Sequence, residues 1–314
     1  MKFTDQINLS GYLKNIGIKG SPSAALYREK LYVIYNGAGN DGLYFLTYDG
    51  KDWSGPTRLE GIVGNVGVAE NSSPSAIVAR DLLYVFYNGA GNDGTYYITY
   101  DGNEVKGPVS IKGLIGGMGF QKSTSPSATV YGDPYLFWVG SGDDGIYYSI
   151  LDHNTWTGGT RVNAYASGVG IAGGTSPFAI EYMADFYLFY NGRGNDGTFY
   201  TVLTNQGWQP PVGIKGQIGE MGFRGNTSPT ACLSGGTYQL LVFYAGSGQD
   251  GIYVTSYDGV GSKAWAKQVH VTCPNGVPGI LDGTSPCAVT YKQTPYLFWN
   301  GSGNDGIYMT TVEV

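Results

Sequence analysis

The chain has 314 residues, of which 42% are hydrophobic and 13% charged, so it is too apolar for a disordered chain and too poor in charge for a coiled coil. The net charge of −6 argues against nucleic acid and anionic membranes as main partners, because both are bound through basic patches. No run of about 18 apolar residues is present, which predicts no membrane insertion.

The first predicted element is a short strand around residues 6–10. From Ser21 onward, strands are predicted over residues 21–26, 31–35, 43–48 and 53–60. A polar turn at 28–30, a glycine-rich loop at 36–42 and an Asp-Gly turn at 49–52 separate them. β-rich segments bounded by Gly, Asn, Asp and Pro indicate an antiparallel meander, and no segment shows helical periodicity.

This unit repeats along the whole chain. A Ser-Pro pair recurs at Pro22, Pro74, Pro126, Pro177, Pro229 and Pro286. The aspartates of a recurring Asp-Gly pair, spaced by 51 to 55 residues, are Asp41, Asp93, Asp144, Asp196, Asp250 and Asp305. Repeated four-stranded units of this length are propeller blades.

The sequence therefore predicts an all-β, six-bladed β-propeller, one domain over residues 1–314, with four antiparallel strands per blade. The repeats run over about 21–72, 73–124, 125–175, 176–227, 228–284, and 285–314 plus 1–20. The last repeat stops after its third strand, so we expect the N-terminal strand to complete the sixth blade. An alanine two residues after each proline, such as Ala24 or Ala76, fits a crowded innermost strand.

Most of the repeated polar residues fall on one face of the predicted disc. An aromatic residue ends the second strand of each repeat: Tyr35, Tyr87, Trp138, Tyr190, Tyr244 and Trp299. An asparagine follows it in four repeats: Asn36, Asn88, Asn191 and Asn300. Together with the six loop aspartates, these residues are the candidate ligand-binding set. Repeats three and five carry Val139 and Ala245 instead, so we expect their sites to be weaker.

Such residues suit sugars, whose C–H faces stack on aromatic rings and whose hydroxyls bond to Asp and Asn side chains. The prediction is a lectin with repeated shallow sites, which gain from multivalency. Structural roles stay open: the aspartates can cap their own turns, and the second-strand aromatics can pack between blades. The Ser-Pro serines are expected to bond loop amides. Third-strand aromatics such as Tyr44 are expected in the core, and Trp53, Trp156, Trp208 and Trp265 between blades.

Other functions are less well supported by the sequence. The loop lacks the oxygen ladder of a calcium site, and three cysteines with two lone histidines give no zinc spacing, so neither a metal nor another cofactor is predicted. A glycosidase needs a unique carboxylate pair, whereas these acids recur in every repeat. The chain is therefore predicted not to be an enzyme. A protein-binding scaffold or toxin-associated recognition module is the main alternative.

Cys232, Cys273 and Cys287 are predicted to be buried free thiols. Residues 1–5 lack an apolar signal core, which predicts a protein that is cytoplasmic or released without a signal peptide. The expected partners are glycans or glycoconjugates, and homo-oligomerisation is compatible with the pattern.

The motifs Ser-Pro-x-Ala, Leu-Tyr-x-x-Tyr, Asn-Asp-Gly-x-Tyr-Tyr and Tyr-Asp-Gly-x-x-Trp resemble those of the Photorhabdus-type β-propeller lectins. The chain is more loosely similar to the six-bladed, fucose-binding Aleuria-type fungal lectins. The resemblance covers the whole chain and implies a sugar-binding propeller with sites between or upon its blades. The Photorhabdus-type lectins have seven blades, while six repeats are counted in this chain. The Arg, Glu and Trp set that holds fucose in Aleuria-type lectins recurs nowhere, so fucose is not carried over.

Overall fold

The computed structural model describes residues 1–14, 16–39, 42–59, 67–91, 94–142, 144–162, 168, 170–248 and 250–314. These residues form six antiparallel sheets, each the blade of a β-propeller, which confirms the predicted fold class. Among them, no helix is long and apolar enough to span a membrane.

Each blade contains four or five strands. Blade 1 contains Ile18–Tyr27, Lys30–Gly37, Leu43–Tyr48 and Trp53–Arg58. Blade 2 contains Ser75–Ala79, Leu82–Asn88, Thr95–Tyr100 and Val105–Ser110. Blade 3 contains Ser127–Tyr131, Asp133–Val139, Ile146–Asp152, Thr155–Trp156 and Thr160–Arg161. Blade 4 contains Phe178–Tyr182, Asp185–Asn191, Thr198–Thr204, Gly207–Trp208 and Val212–Gly213. Blade 5 contains Thr230–Leu233, Leu240–Ala245, Ile252–Asp258, Ala264–Trp265 and Val269–His270. Blade 6 contains Cys287–Tyr291, Thr294–Asn300 and Ile307–Glu313, with Lys2–Phe3 and Ile7–Asn8.

In blades 3 to 5 the fourth strand is split into two short pieces, and both pair with the third strand. Three one-turn helices, Leu9–Tyr12, Ile111–Ile115 and Lys215–Ile218, and the 3-10 turn Arg193–Asn195 complete the elements. Sequence periodicity did not reveal these helices, because four or five residues are too few to show a helical period.

The ring closes through its two ends. Lys2 and Phe3 pair with Glu313 and Val312 of the last strand, and Ile7 pairs with Met309. The predicted N-terminal strand therefore does complete the sixth blade. With the ring closed in this way, blade 6 is complete and packs between blade 5 and blade 1.

The hydrophobic core lies between blades rather than in one centre. In blade 1, Leu31, Val33 and Tyr35 of the second strand pack toward blade 6, while Tyr32 and Ile34 pack toward blade 2. Both faces of the strand are buried, which explains its nearly continuous apolar run. The fourth-strand tryptophans pack across the same junctions, as predicted. Trp156 meets Phe86 of the previous blade edge-to-face at 5.9 Å between ring centroids, and Trp208 meets Phe137 at 6.1 Å.

A closed ring of hydrogen bonds surrounds the central axis at the Ser-Pro pairs. The backbone N–H of each serine donates to the hydroxyl of the equivalent serine in the next blade, at 2.7–2.9 Å. The ring runs Ser21, Ser73, Ser125, Ser176, Ser228, Ser285 and back to Ser21. The expectation that these serines satisfy loop amides is confirmed. The bond from Ser285 to Ser21 joins the last blade to the first.

Candidate functional site

We call the two sides of the disc the loop face and the hairpin face. The loop face carries the loops between second and third strands and the turns that enter the first strands. The hairpin face carries the hairpins between first and second strands. Each loop is closed by one backbone bond of 2.8–3.0 Å between two glycines: Gly37 to Gly42, Gly89 to Gly94, Gly140 to Gly145, Gly192 to Gly197, Gly246 to Gly251 and Gly301 to Gly306. The second glycine has φ between +91° and +127°, a region that other residues avoid, so the loop requires the glycine of the Asp-Gly pair.

The aromatic residues that end the second strands lie inside the protein. Their side chains are 0–3% exposed: Tyr35, Tyr87, Trp138, Tyr190, Tyr244 and Trp299. A ring at this depth offers no face on which a sugar could stack. These six residues were predicted to bind ligand directly, and burial contradicts that prediction. They form core between blades, and burial raises the pKa of Tyr190 and Tyr244 well above the usual value.

The four asparagines next to them are also buried, at 0–1% exposed: Asn36, Asn88, Asn191 and Asn300. The Asn88 amide donates to the carbonyl of Thr124 in blade 3 at 2.9 Å, and its oxygen accepts from the Thr95 hydroxyl at 2.7 Å. Asn300 reaches Gly20 of blade 1 in the same way, at 3.2 Å. The prediction that these asparagines bind ligand is therefore wrong for direct contact. Asn88, Asn191 and Asn300 each connect their blade to the entering turn of the next one.

Blade 5 makes an equivalent contact between blades from another position. Where blade 5 has Ala245, the Arg224 guanidinium in its entering turn donates to the carbonyl of Ile280 in blade 6 at 3.0 Å. It also pairs with Asp282 at 3.1 Å. Gln121 occupies the equivalent position in blade 3, which has Val139. In three of the four blades that have the asparagine, the position equivalent to Arg224 is occupied by an apolar residue: Ala69, Ala172 and Leu281. The missing asparagines thus mark an alternative inter-blade contact, and they give no basis for ranking the sites.

The loop aspartates have a different placement. Asp144, Asp250 and Asp305 each accept a hydrogen bond from a third-strand tyrosine, at 2.7, 2.7 and 2.6 Å. The donors are Tyr147, Tyr253 and Tyr308. Asp250 and Asp305 are exposed, and Asp144 is half-buried.

In blade 4, Asp196 is exposed and the third-strand residue is Phe199, which has no hydroxyl. Asp41 and Asp93, the loop aspartates of blades 1 and 2, lie outside the described residues. Bonding to the carboxylate raises the pKa of Tyr147, and with desolvation it raises that of Tyr253 to about 12.

The third-strand aromatics are half-buried rather than core. Each stacks one ring face on the buried second-strand ring, with centroids 5.7–5.8 Å apart and planes within 20°: Tyr44, Tyr96, Tyr147, Phe199, Tyr253 and Tyr308. In blade 5 the other face of Tyr253 carries the imidazole of His270 at 4.7 Å and 24°. This outer face can therefore hold a flat partner. His153, by contrast, is exposed and bonded to its neighbour Asp152.

The position of His270 is the one that sequence reasoning missed. This position lies on the fourth strand, directly opposite the half-buried aromatic residue. Only blades 1 and 3 have the same residue there, an arginine; in order of blades, the residues are Arg58, Ser110, Arg161, Gly213, His270 and Asn8. The available signal was variation at one position within an otherwise repeated frame. We call the loop aspartate, the third-strand aromatic and this fourth-strand residue the rim cluster of a blade. In blade 3 it is Asp144, Tyr147 and Arg161.

Grooves between blades adjoin these clusters on the loop face. One groove of about 370 Å³ lies between residues 69–71 of blade 2 and residues 120–123 of blade 3, with Glu70 and Lys122 among its lining. Another of about 560 Å³ runs from Asp282 and Asn304 of blade 6 to Lys19 of blade 1, and it opens toward the axis. Lys19 also pairs with Glu70 at 3.7 Å. Because the turns that enter the first strands differ in sequence, the two grooves are lined by different charged residues.

In the described part of the chain, neither a cluster of metal-ligating side chains nor a meeting point of Arg28, Arg80 and Arg224 is seen. Within the described ranges, no three His, Cys, Asp or Glu side chains come together to hold a metal ion. Arg28 lies over the ring of Tyr27, Arg80 pairs with Asp133 and Arg224 with Asp282, in different blades. These arginines therefore do not converge on one point.

A scan of protein families finds no match for the chain, and a search of curated proteins finds no relative. Solved structures do resemble it. The Aleuria aurantia lectin bound to Fucα1-6GlcNAc has a TM-score of 0.67 and 15% identity, covering 92% of this chain and 91% of the lectin chain. The Hadza microbial sialidase Hz136 has a TM-score of 0.59 and 10% identity, covering 94% and 66%. Trypanosoma rangeli sialidase with sialic acid has a TM-score of 0.54 and 12% identity, covering 99% and 56%. At these identities the likeness establishes the six-bladed propeller fold.

Proposed function

We propose that this protein is a multivalent carbohydrate-binding protein, a lectin without enzymatic activity, whose sites are the rim clusters of the loop face. The observation that carries the proposal is the repeated half-buried aromatic ring, which in blades 3, 5 and 6 is bonded to a loop carboxylate and lies opposite a polar fourth-strand residue. The fucose-bound Aleuria aurantia lectin among the similar structures supports a sugar as the class of ligand.

The chemistry of a rim cluster suits a sugar ring. The outer face of Tyr147 or Tyr308 offers an apolar surface to the C–H groups of a pyranose. Asp144 or Asp305 supplies an acceptor for a hydroxyl, and the guanidinium of Arg161 or the amide of Asn8 supplies donors. Blade 4, with Phe199 and Gly213, keeps the aromatic surface but offers fewer polar partners. We therefore expect the site of blade 4 to be weaker than those of blades 3 and 6. In blade 5 the His270 imidazole already lies on Tyr253, so a sugar would have to displace it.

Repetition supports binding to a surface that displays many glycans. One shallow site of this kind would bind weakly, because few atoms are desolvated. Several equivalent sites on a rigid disc raise the apparent affinity by about 10²-fold or more when the glycans are spaced to match. A protein partner would instead be expected to select one non-repeating patch.

The decisive experiment is a glycan array, followed by calorimetry with the best free sugar. Tyr147→Ala and Tyr308→Ala should each lower the number of bound sugars per chain, with little effect on the remaining sites. Tyr238→Ala is the matched control, because Tyr238 is an exposed tyrosine on the opposite, hairpin face. Unchanged stoichiometry in both rim variants, each folded normally, would contradict the assignment of these sites.

The sialidase-like structures motivate a second assay. Incubation with sialosides should give no release of sialic acid, because Arg28, Arg80 and Arg224 do not converge. Release that persists in a highly purified sample would replace the lectin proposal with an enzymatic one.

A further inference from the structure

The central axis holds a cavity on the hairpin face that belongs to none of the rim clusters. Its volume is about 460 Å³. The wall includes the alanine that follows each Ser-Pro pair: Ala24, Ala76, Ala128, Ala179, Ala231 and Ala288. Larger apolar side chains, among them Ile77, Ile180 and Leu233, extend the wall toward the hairpin face. The alanines thus border open space, where crowding had been expected.

Among the described residues, the lining of this axial cavity contains no Asp, Glu, Lys, Arg or His side chain. Its polar groups are hydroxyls, two thiols and the amide of Gln293. Toward the loop face the axis narrows at the Ser-Pro ring to a space of about 100 Å³. Ser75, at this inner end, accepts the Ala128 N–H at 2.9 Å and keeps its own hydroxyl hydrogen for another acceptor. A charged ligand would lose its hydration here without gaining a counter-ion.

The cavity mouth breaks the sixfold repetition. The hairpin of blade 5 spans residues 234–239, whereas the other hairpins have one or two turn residues, such as Arg28 and Glu29. It is closed by a bond from Ser234 N–H to the Gln239 carbonyl at 2.8 Å. Gly235 packs so closely on the backbone of Gln293 in blade 6 that a Cβ would clash.

Tyr238 in this hairpin is 68% exposed beside the mouth, and its side chain belongs to the cavity lining. Its positive φ is shared by turn residues of other hairpins, such as Arg28 and Arg80, so it is a feature of the turn.

We propose that the axial cavity binds one uncharged, largely apolar small molecule per chain, carrying a hydroxyl or carbonyl group that meets the hydroxyls at its inner end. Tyr238 covers the bound molecule at the mouth. The volume lies within the range of small-molecule pockets, and an apolar lining with a few hydroxyls is typical of them. This proposal is independent of carbohydrate binding on the loop face.

The test uses two probes with the same aromatic skeleton. N-phenyl-1-naphthylamine is neutral, and 1-anilinonaphthalene-8-sulfonate carries a charge. Fluorescence titration of the whole protein should show saturation by the neutral probe at one molecule per chain, with the sulfonate at least about tenfold weaker because its charge cannot be paired. Equal binding of both probes, or a stoichiometry above one, would overturn the proposal.

Two variants locate the probe. Thr129 lines the cavity and is half-exposed to it, so Thr129→Phe should fill the space and weaken the neutral probe at least about tenfold. Val212→Phe adds a phenyl ring to an exposed outer strand and should leave binding unchanged. Tyr147→Ala, the rim variant, should also leave it unchanged. Wild-type affinity in a folded Thr129→Phe protein would refute the location.

A measurement on the unaltered protein keeps the test decisive if Thr129→Phe fails to fold. Cys287 lines the cavity, whereas Cys273 is a buried thiol elsewhere in the chain. Labelling by a neutral maleimide, read by mass spectrometry, should slow at least about fivefold at Cys287 when the neutral probe is present, and not at Cys273. Equal slowing at both thiols would show general stabilisation only and would overturn the proposal.

Discussion

Replacing Asn191 by alanine tests whether the strand-end asparagines hold the blades together. The side chain is fully buried, and its amide donates to the Thr227 carbonyl of blade 5 at 2.7 Å. Its oxygen accepts from the Thr198 hydroxyl at 2.9 Å. Asn191→Ala removes both bonds and leaves the two partners buried without them.

The magnitude follows from these contacts. Each lost bond costs about 1 kcal/mol, and the unpaired buried partners raise the total to about 2–4 kcal/mol. With an unfolding entropy of about 2.1 cal/mol/K per residue, a 314-residue chain loses about 1.5 °C in Tm per kcal/mol. A loss of about 3 kcal/mol therefore corresponds to about 4–5 °C.

The assay combines denaturant unfolding with scanning calorimetry, and glycan binding is measured on the same samples well below Tm. Asn103→Ala, in an exposed turn, is the control and should stay within about 0.5 kcal/mol of the parent. Normal stability of Asn191→Ala together with loss of one sugar site would refute the structural role and restore the ligand role.

The arrangement at blade 5 offers a rescue. Ala172→Arg with Gly225→Asp, added to Asn191→Ala, copies the Arg224–Asp282 pair into the junction of blades 4 and 5. A Cβ at Gly225 meets no atom within 4 Å, so the aspartate fits. We expect recovery of at least half of the lost stability. No recovery would show that the two contacts are not interchangeable.

The remaining predictions concern pH and the axial ring. The pKa of Tyr253 in the folded protein is about 12, above the usual 10.0, so the stability that this tyrosine contributes is present below pH 10 and is lost as the pH rises toward 12. In urea unfolding between pH 8 and 11.5, the free energy of unfolding should therefore decline less in Tyr253→Phe than in the parent protein. Two backbone N–H bonds lower the pKa of Asp101, so its contribution is present at neutral pH and fades in acid, and Asp101→Asn should flatten the acid side of the stability curve. Ser176→Ala removes the acceptor of the Ser125 N–H and should cost about 1–3 kcal/mol in denaturant unfolding, so a change below about 0.5 kcal/mol would contradict the importance of the ring.

The fold could be predicted from the sequence because its signals are local and repeated. Ser-Pro pairs mark the start of each first strand and Asp-Gly pairs the start of each third strand, and their spacing counts the blades. The position of the last Asp-Gly pair, near residue 305, also predicts that the N-terminal strand closes the ring. Each of these inferences needs only strand order and turn chemistry.

The site could not be predicted in the same way. Tyr35 and Asn36 end a strand beside a polar loop, and in an open sheet such residues would reach solvent. In the propeller two neighbouring blades cover the two faces of that strand, so the packing between blades decides which side chains are buried. The pairing of Ala245 with Arg224 and of Val139 with Gln121 was visible in the sequence, but its meaning required the contact between blades.

The pairing of Lys2 and Phe3 with the last strand has a consequence for synthesis. At about 5–20 residues per second, the ribosome takes roughly 15–60 s to make the chain after these residues emerge. During that time the first strand waits without its partner, and the nascent ring stays open at one seam. We expect the final blade to form only after the strand Ile307–Glu313 has left the ribosome, so a chaperone that shields exposed strands would act at this seam.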